Sequence, residues 1–185
     1  VGVREYSESA EVCGGGEMRA LLLAVAALSL PGQDVEAFVK ANTTRFKPKQ
    51  ERFRFALIGD QQYTPVQEKL FENVIDAMNR EKLRFVVHDG DIKNGQAPCD
   101  DAMYDRRLAT FGRSAHPFIL TPGDNDWTDC NRPRAGGMDQ LERLRKVRAM
   151  FYPAPGRTLG KGKLAALSQS ETAGFEPYVE NLMWA

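Results

Sequence analysis

Three aspartates, Asp60, Asp91 and Asp124, each follow a glycine and each lie just past a short apolar run. One such Gly-Asp pair is ordinary turn chemistry, because both residue types are common in loops. Three in succession, at the ends of three apolar runs, point to one site. Parallel pairing of those runs brings their ends within roughly 5–10 Å of one another, at a strand spacing of about 4.8 Å. Carboxylates at that range repel and raise each other's pKa unless a cation offsets them. A divalent metal ion supplies that charge. Oxygen-rich ligands suit Mg²⁺, Mn²⁺ or Ca²⁺, whereas imidazoles shift the preference to Zn²⁺ or Fe.

The elements that must position these residues are legible as apolar patterns. Strands are predicted over 52–58, 83–87 and 117–120. The first, with Phe53, Phe55, Leu57 and Ile58, is apolar enough for burial on both faces. Pro65 opens a helical pattern of Val66, Leu70, Phe71, Val74, Ile75 and Met78. A weaker one over 100–114 carries Met103, Leu108 and Phe111, and a third over 138–152 carries Leu141, Leu144, Val147, Met150 and Phe151. The Arg and Lys residues of the third read as a solvated face. Between 153 and 162, Gly and Pro break the regularity, and the rest is mostly irregular until a strand begins within 178–184. Strand and helix alternate, which predicts an α/β fold with a parallel sheet and right-handed crossovers. Ligands of such sheets bind off the carboxyl ends of the strands, where all three Gly-Asp pairs lie.

Gly59-Asp60-Gln61-Gln62, Gly90-Asp91-Ile92-Lys93-Asn94-Gly95 and Gly123-Asp124-Asn125-Asp126 resemble the first three motif blocks of the calcineurin-like metallophosphoesterases. The resemblance covers about residues 53–129. It implies a β-sandwich flanked by helices, of which this chain holds the N-terminal half in β-α-β-α-β-α order. It also implies two divalent metal ions (Mn, Mg, Fe, Zn or Ca) and hydrolysis of a phosphate ester by a metal-bound hydroxide. The implied metal ligands are Asp60, Gln62, Asp91 and Asp124, with Asp91 bridging. Asn125 falls where the family has the His that serves the leaving group, and Asp126 on the acid that supports that His. Gln62 stands where the first block has a metal-binding His, Asp124 where the third has a neutral amide. An amide oxygen is harder than imidazole, so the set favours Mn²⁺, Mg²⁺ or Ca²⁺. Asn125 cannot donate a proton near pH 7 as His can.

The family also needs a lone His and a Gly-His-x-His block on later strands. This chain has only His88 and His116. His88 lies inside the second strand and reads as a packed, hydrogen-bonded residue; His116 precedes the third, at the wrong end of the sheet. The expectation is a chain that stops early, binds metal poorly and hydrolyses little.

Other readings concern partners and location. Net charge is zero, which argues against a wholesale electrostatic grip on nucleic acid or an anionic membrane. Met18-Arg19, the apolar run 20–30 and the small residues Ala27 and Ser29 have the layout of a secretory signal peptide over 18–29, too short to span a bilayer. Residues 1–17 would lie upstream of it, 30–50 would be a linker, and 51–185 a partial domain. A secreted or periplasmic location permits disulfides, and with Cys13 upstream, Cys99 and Cys130 are expected to pair. Lys93 and Asn94 read either as phosphate contacts or as a solvated loop. Arg132 and Arg134 could clamp an anion, Trp127 could stack a sugar or base, and Trp184 reads as core. Two alternatives stand beside the hydrolase: a secreted, catalytically silent binding domain with at most one cation, and a Mg²⁺-dependent phosphotransferase on a doubly wound sheet.

Overall fold

The computed structural model describes residues 52–184; the expected signal peptide, the expected linker and the segment before them lie outside the described residues. Strand β1 (Ala56–Ile58), helix α1 (Pro65–Asn79), β2 (Val86–His88), α2 (Asp101–Phe111) and β3 (Phe118–Leu120) follow one another. Three short 3-10 turns, Asp124–Asp126, Thr128–Asn131 and Pro133–Ala135, lead into α3 (Gln140–Phe151), and β4 (Ala166–Ser168) and β5 (Leu182–Trp184) close the order. The first three strands form a parallel sheet in the order β1-β2-β3, while β4 and β5 pair antiparallel. The fold is mixed α/β. No helix among the described residues is long and apolar enough to cross a membrane.

Register decides what the sheet positions. Ile58 pairs with His88, and His88 with Leu120. The three strands therefore end level, and the three Gly-Asp loops leave from one edge. Each helix begins where a side chain satisfies a free backbone N–H. Thr64 caps α1 through the Gln67 N–H at 3.2 Å, ahead of Pro65. Asp100 caps α2 through Met103 at 2.7 Å, and Asp139 caps α3 through Glu142 at 2.7 Å. These caps set α2 and α3 a little inside the expected spans.

One face of the sheet carries the core. Ala56, Ile58, Val86, Phe118 and Leu120 share a hydrophobic cluster with Phe71, Ile75 and Met78 of α1, Tyr104 and Phe111 of α2, and Val147 and Phe151 of α3. All three helices thus cover the same face. The opposite face is uneven: Leu57 is 54% exposed while its row-mate Ile119 is buried. The expected two-sided burial of the first strand is therefore corrected, because β1 is the sheet's edge and none of the described residues buries Leu57 or Phe53. Val66, Leu70 and Leu141 also point outward, since only one stripe of each helix reaches the core. Trp184 is half-buried and sits edge-on against Phe85. Its strand pairs with β4, which at three residues is too short to show a period.

The charged face of α3 is not wholly solvated either. Arg143 is buried, bonds the Cys99 carbonyl at 3.1 Å and pairs with Asp101 at 2.9 Å. It thereby anchors α3 to the start of α2 and to the disulfide. Cys99 and Cys130 are bonded, with Cα atoms 5.6 Å apart and both side chains fully buried. The bridge ties the loop after β2 to the turns after β3.

Closing a loop across 31 residues stabilises the fold by about 3–4 kcal/mol through the unfolded chain's lost entropy. Urea denaturation with and without dithiothreitol should show a loss of that order on reduction. An unchanged midpoint, with two free thiols by mass spectrometry, would count against the bridge.

Candidate metal centre at the carboxyl edge of the sheet

Beyond the strand ends the backbone takes conformations that most residues avoid. Asp60 (φ 51°), Gln62 (φ 73°) and Asp91 (φ 55°) are the non-glycine residues with positive φ among those described. A left-handed L-residue costs roughly 1–2 kcal/mol, less for aspartate, whose short side chain bonds locally. Such strain concentrates at functional sites, where surrounding contacts over-determine it. Here the contacts are visible. The Asp60 N–H bonds the Gly90 carbonyl at 3.2 Å, and the Asp89 N–H bonds that of Ile58 at 2.9 Å, so the first two loops lace together. Gly90 (φ 95°) and Gly123 admit the third loop: a Cβ on Gly90 would lie 2.2 Å from the Gly123 nitrogen. One on Gly123 would lie 2.1 Å from Asp91 Oδ1.

The three aspartates are brought together. The Tyr63 hydroxyl donates to Asp60 Oδ1 at 2.7 Å and reaches Asp91 Oδ2 at 3.5 Å. The Asn125 N–H bonds both Asp91 Oδ1, at 3.2 Å, and Asp124 Oδ1, at 3.0 Å. Burial raises the Asp91 carboxyl above the ordinary range; the Asn125 N–H opposes this, and the neighbouring Asp124 and Asp60 carboxyls push it further up. Burial and the bond to Asp60 likewise raise the Tyr63 hydroxyl, which keeps its proton. Tyr63 was not singled out in the sequence. Its position directly after Gln62 in the first block is the one signal that could have found it.

Asp126 does something different from its neighbours. It is fully buried and accepts three backbone N–H bonds, from Gly123 at 2.9 Å, Asp91 at 3.1 Å and Ile92 at 2.8 Å. Burial pushes its carboxyl up to about 7, while the N–H groups of Gly123 and Ile92 hold it down. The side chain splints the second loop to the third. Behind it, the Tyr104 hydroxyl bonds the Asp126 carbonyl at 2.6 Å.

The remaining candidates are placed as follows. Gln62 is buried and lines a pocket to which Asp60, Asp91 and Asp124 do not contribute. A Cβ on Gly95 would meet the Asn125 amide oxygen at 2.7 Å, so that side chain lies against the second loop. Lys93 is 1% exposed, which overturns the solvated-loop reading. Burial lowers its pKa, and the charges of Asp126 and Asp129 oppose that. Asn94 reaches the Tyr63 carbonyl at 2.8 Å and so props the residue that bridges two of the aspartates. Arg132 is engaged locally, pairing with Asp129 at 2.7 Å. Trp127 is half-buried.

His88 is fully buried among Phe71, Phe111 and Phe118. Its Nδ1 accepts the Gly90 N–H at 3.2 Å, which fixes the left-handed glycine of the second loop. His116 bonds the Met78 carbonyl, away from the loops. Among the described residues, no group of three or more His, Cys, Asp or Glu side chains is arranged to hold a metal ion. No protein-family model, curated protein or solved structure matches the chain.

The buried imidazole has a measurable consequence. Burial pulls His88 down to about 4, against about 6.5 in an unfolded chain. Between those values the unfolded chain binds a proton that the folded one does not. The stability is therefore fully present above the higher value and lost as pH falls through the lower one, by about 3 kcal/mol in all. Urea denaturation of wild type and His88→Asn, whose amide oxygen can replace Nδ1, should give curves whose separation shifts by that amount between about pH 7 and about pH 4. The raised Asp126 is common to both and cancels. Parallel pH profiles would show that the imidazole titrates as in water.

Proposed function

We propose that this chain carries the aspartate side of a metal-dependent phosphoesterase site of the calcineurin-like kind. The observation that carries the reading is the convergence of three carboxylates at one sheet edge, two of them on left-handed backbone. Gathering like charges and holding Asp60 and Asp91 in a costly conformation serves no evident packing purpose. It suits a cation. The open sheet face bearing Leu57 is compatible with a sandwich, in which a second sheet covers what the helices do not. The buried Cys99–Cys130 bridge agrees with an exported protein.

As they stand the three carboxylates are bridged by Tyr63 and Asn125 and are not arranged around a metal ion; Asp60, Asp91 and Asp124 would have to close up to hold one, and a set of carboxylate oxygens favours a hard cation such as Mn²⁺, Mg²⁺ or Ca²⁺. A divalent ion bound there supplies a Lewis acid for a phosphoryl oxygen and acidifies water. The protein's own part is positional. Asp126 fixes the backbone of Asp91 against Gly123, and Asn94 fixes Tyr63. The Tyr63 hydroxyl occupies Asp60 Oδ1 and must turn away, or keep a share of that oxygen, when the carboxylates take a cation. Asn125 offers no proton to a leaving group at neutral pH, so the ester favoured is one whose leaving oxygen needs none, such as an aryl phosphate.

The same Tyr63 contact favours the second reading, a silent binding domain, because it caps two of the three carboxylates. Mn²⁺ titration followed by electron paramagnetic resonance, with hydrolysis of bis-p-nitrophenyl phosphate measured alongside, separates the two. The hydrolase reading predicts Mn²⁺ binding that Asp91→Asn abolishes and slow hydrolysis that rises and falls with it. Tyr63→Phe, which frees Asp60 of a hydrogen bond to a charged group, should tighten Mn²⁺ by about tenfold. Binding without any hydrolysis supports the silent domain, and Mn²⁺ uptake indifferent to Asp60→Asn and Asp91→Asn sinks both.

A further inference from the structure

His88 is a polar side chain in an apolar place. It lies in the central strand, paired with Ile58 on one side and Leu120 on the other. Phe71, Phe111 and Phe118 surround it, with ring centroids 5.3–6.2 Å away. Its Nδ1 accepts the Gly90 N–H at 3.2 Å, so the proton of the neutral ring is on Nε2. That nitrogen is buried and has no partner. A buried donor without an acceptor destabilises the folded state. A leucine in this row would fill the same surroundings without that penalty. What the imidazole adds, and an aliphatic side chain cannot, is one acceptor at Nδ1.

That acceptor serves the residue on which all three loops meet. The Gly90 N–H goes to His88, and the Gly90 carbonyl takes the Asp60 N–H at 3.2 Å. Gly90 also lies against the third loop, where a Cβ on it would meet the Gly123 nitrogen at 2.2 Å and the Thr121 carbonyl at 2.6 Å. The His88 carbonyl in turn takes the Thr121 N–H at 2.8 Å. Gly90 is buried and left-handed, and Asp91 follows it at φ 55°. Fixing the Gly90 N–H fixes the peptide plane from which its carbonyl and then Asp91 are aimed. Without Nδ1, a buried N–H is orphaned at this junction, and glycine has the freedom to turn away.

We propose that His88 is a positioning residue of the carboxylate cluster: its ring nitrogen, acting through Gly90, sets Asp60 against Asp91. The spacing of the two carboxylates depends on this contact. That the spacing serves a cation rests on the phosphoesterase reading.

Two substitutions separate positioning from packing. His88→Leu fills the core and removes the acceptor; His88→Asn returns an acceptor but packs less well. Carbon-detected NMR near neutral pH, in EDTA, reads the carboxyl carbons of Asp60 and Asp91. Both shifts should move in His88→Leu and return toward wild type in His88→Asn, while urea denaturation ranks His88→Leu at least as stable as His88→Asn. A role in packing alone gives the same order in both measurements. Mn²⁺ affinity should follow the carboxyl shifts, about tenfold weaker in His88→Leu. Carboxyl shifts that stay put in His88→Leu, or that move as far in His88→Asn, would overturn the assignment. Should neither variant fold, the wild type decides: a scalar coupling across the hydrogen bond between the Gly90 nitrogen and His88 Nδ1 is required, and its absence overturns the proposal. EDTA keeps the result separate from the metal reading, because the carboxyl shifts can follow His88 even if Mn²⁺ never binds the aspartates.

Discussion

The site depends on one buried carboxylate. Asp126 collects the N–H groups of Asp91, Ile92 and Gly123, the backbone donors that the ends of β2 and β3 leave without partners. Buried N–H groups must be satisfied, and a carboxylate is the strongest acceptor available in the chain. With that splint in place, Gly123 comes so near Asp91 that neither Gly123 nor Gly90 can carry a side chain. The disulfide backs the arrangement from behind, with Cys130 four residues beyond Asp126 and Cys99 on the far side of the second loop. Asp91 and Asp124 then lie side by side, joined through the Asn125 N–H.

The parallel sheet contributes alignment, not chemistry. Its level strand ends place three loops side by side. Polar residues then divide the work. Asp126 and His88 turn inward and hold backbone, while Asp60, Asp91 and Asp124 turn toward one another. Lys93 leaves the same loop and is buried, with Asp126 and Asp129 acting on its charge.

Much of this was legible in the sequence. Apolar runs ending in Gly-Asp marked the strand ends, Pro65 marked a helix start, and the count of cysteines marked the bridge. What was not legible depends on neighbours distant in the chain. Alternation shows that Leu57 faces away from Ala56, but not whether anything covers it. The burial of Lys93 could not be read from its place in a polar loop. The splinting part of Asp126 was hidden because two of its N–H donors lie over thirty residues away in sequence. Tyr63 carried no periodic signal, and its role exists only once Asp60 and Asp91 are adjacent.

The central claim is that Asp60, Asp91 and Asp124 form one electrostatic unit. Carbon-detected NMR of the side-chain carboxyls through a pH titration, in EDTA, tests it directly. Asp91 should titrate above the ordinary aspartate range, as burial and its two carboxyl neighbours require. Asp124→Asn should bring it back down. An Asp91 that titrates like a free aspartate, and ignores the Asp124 substitution, would show that the three residues share a sheet edge but not a site.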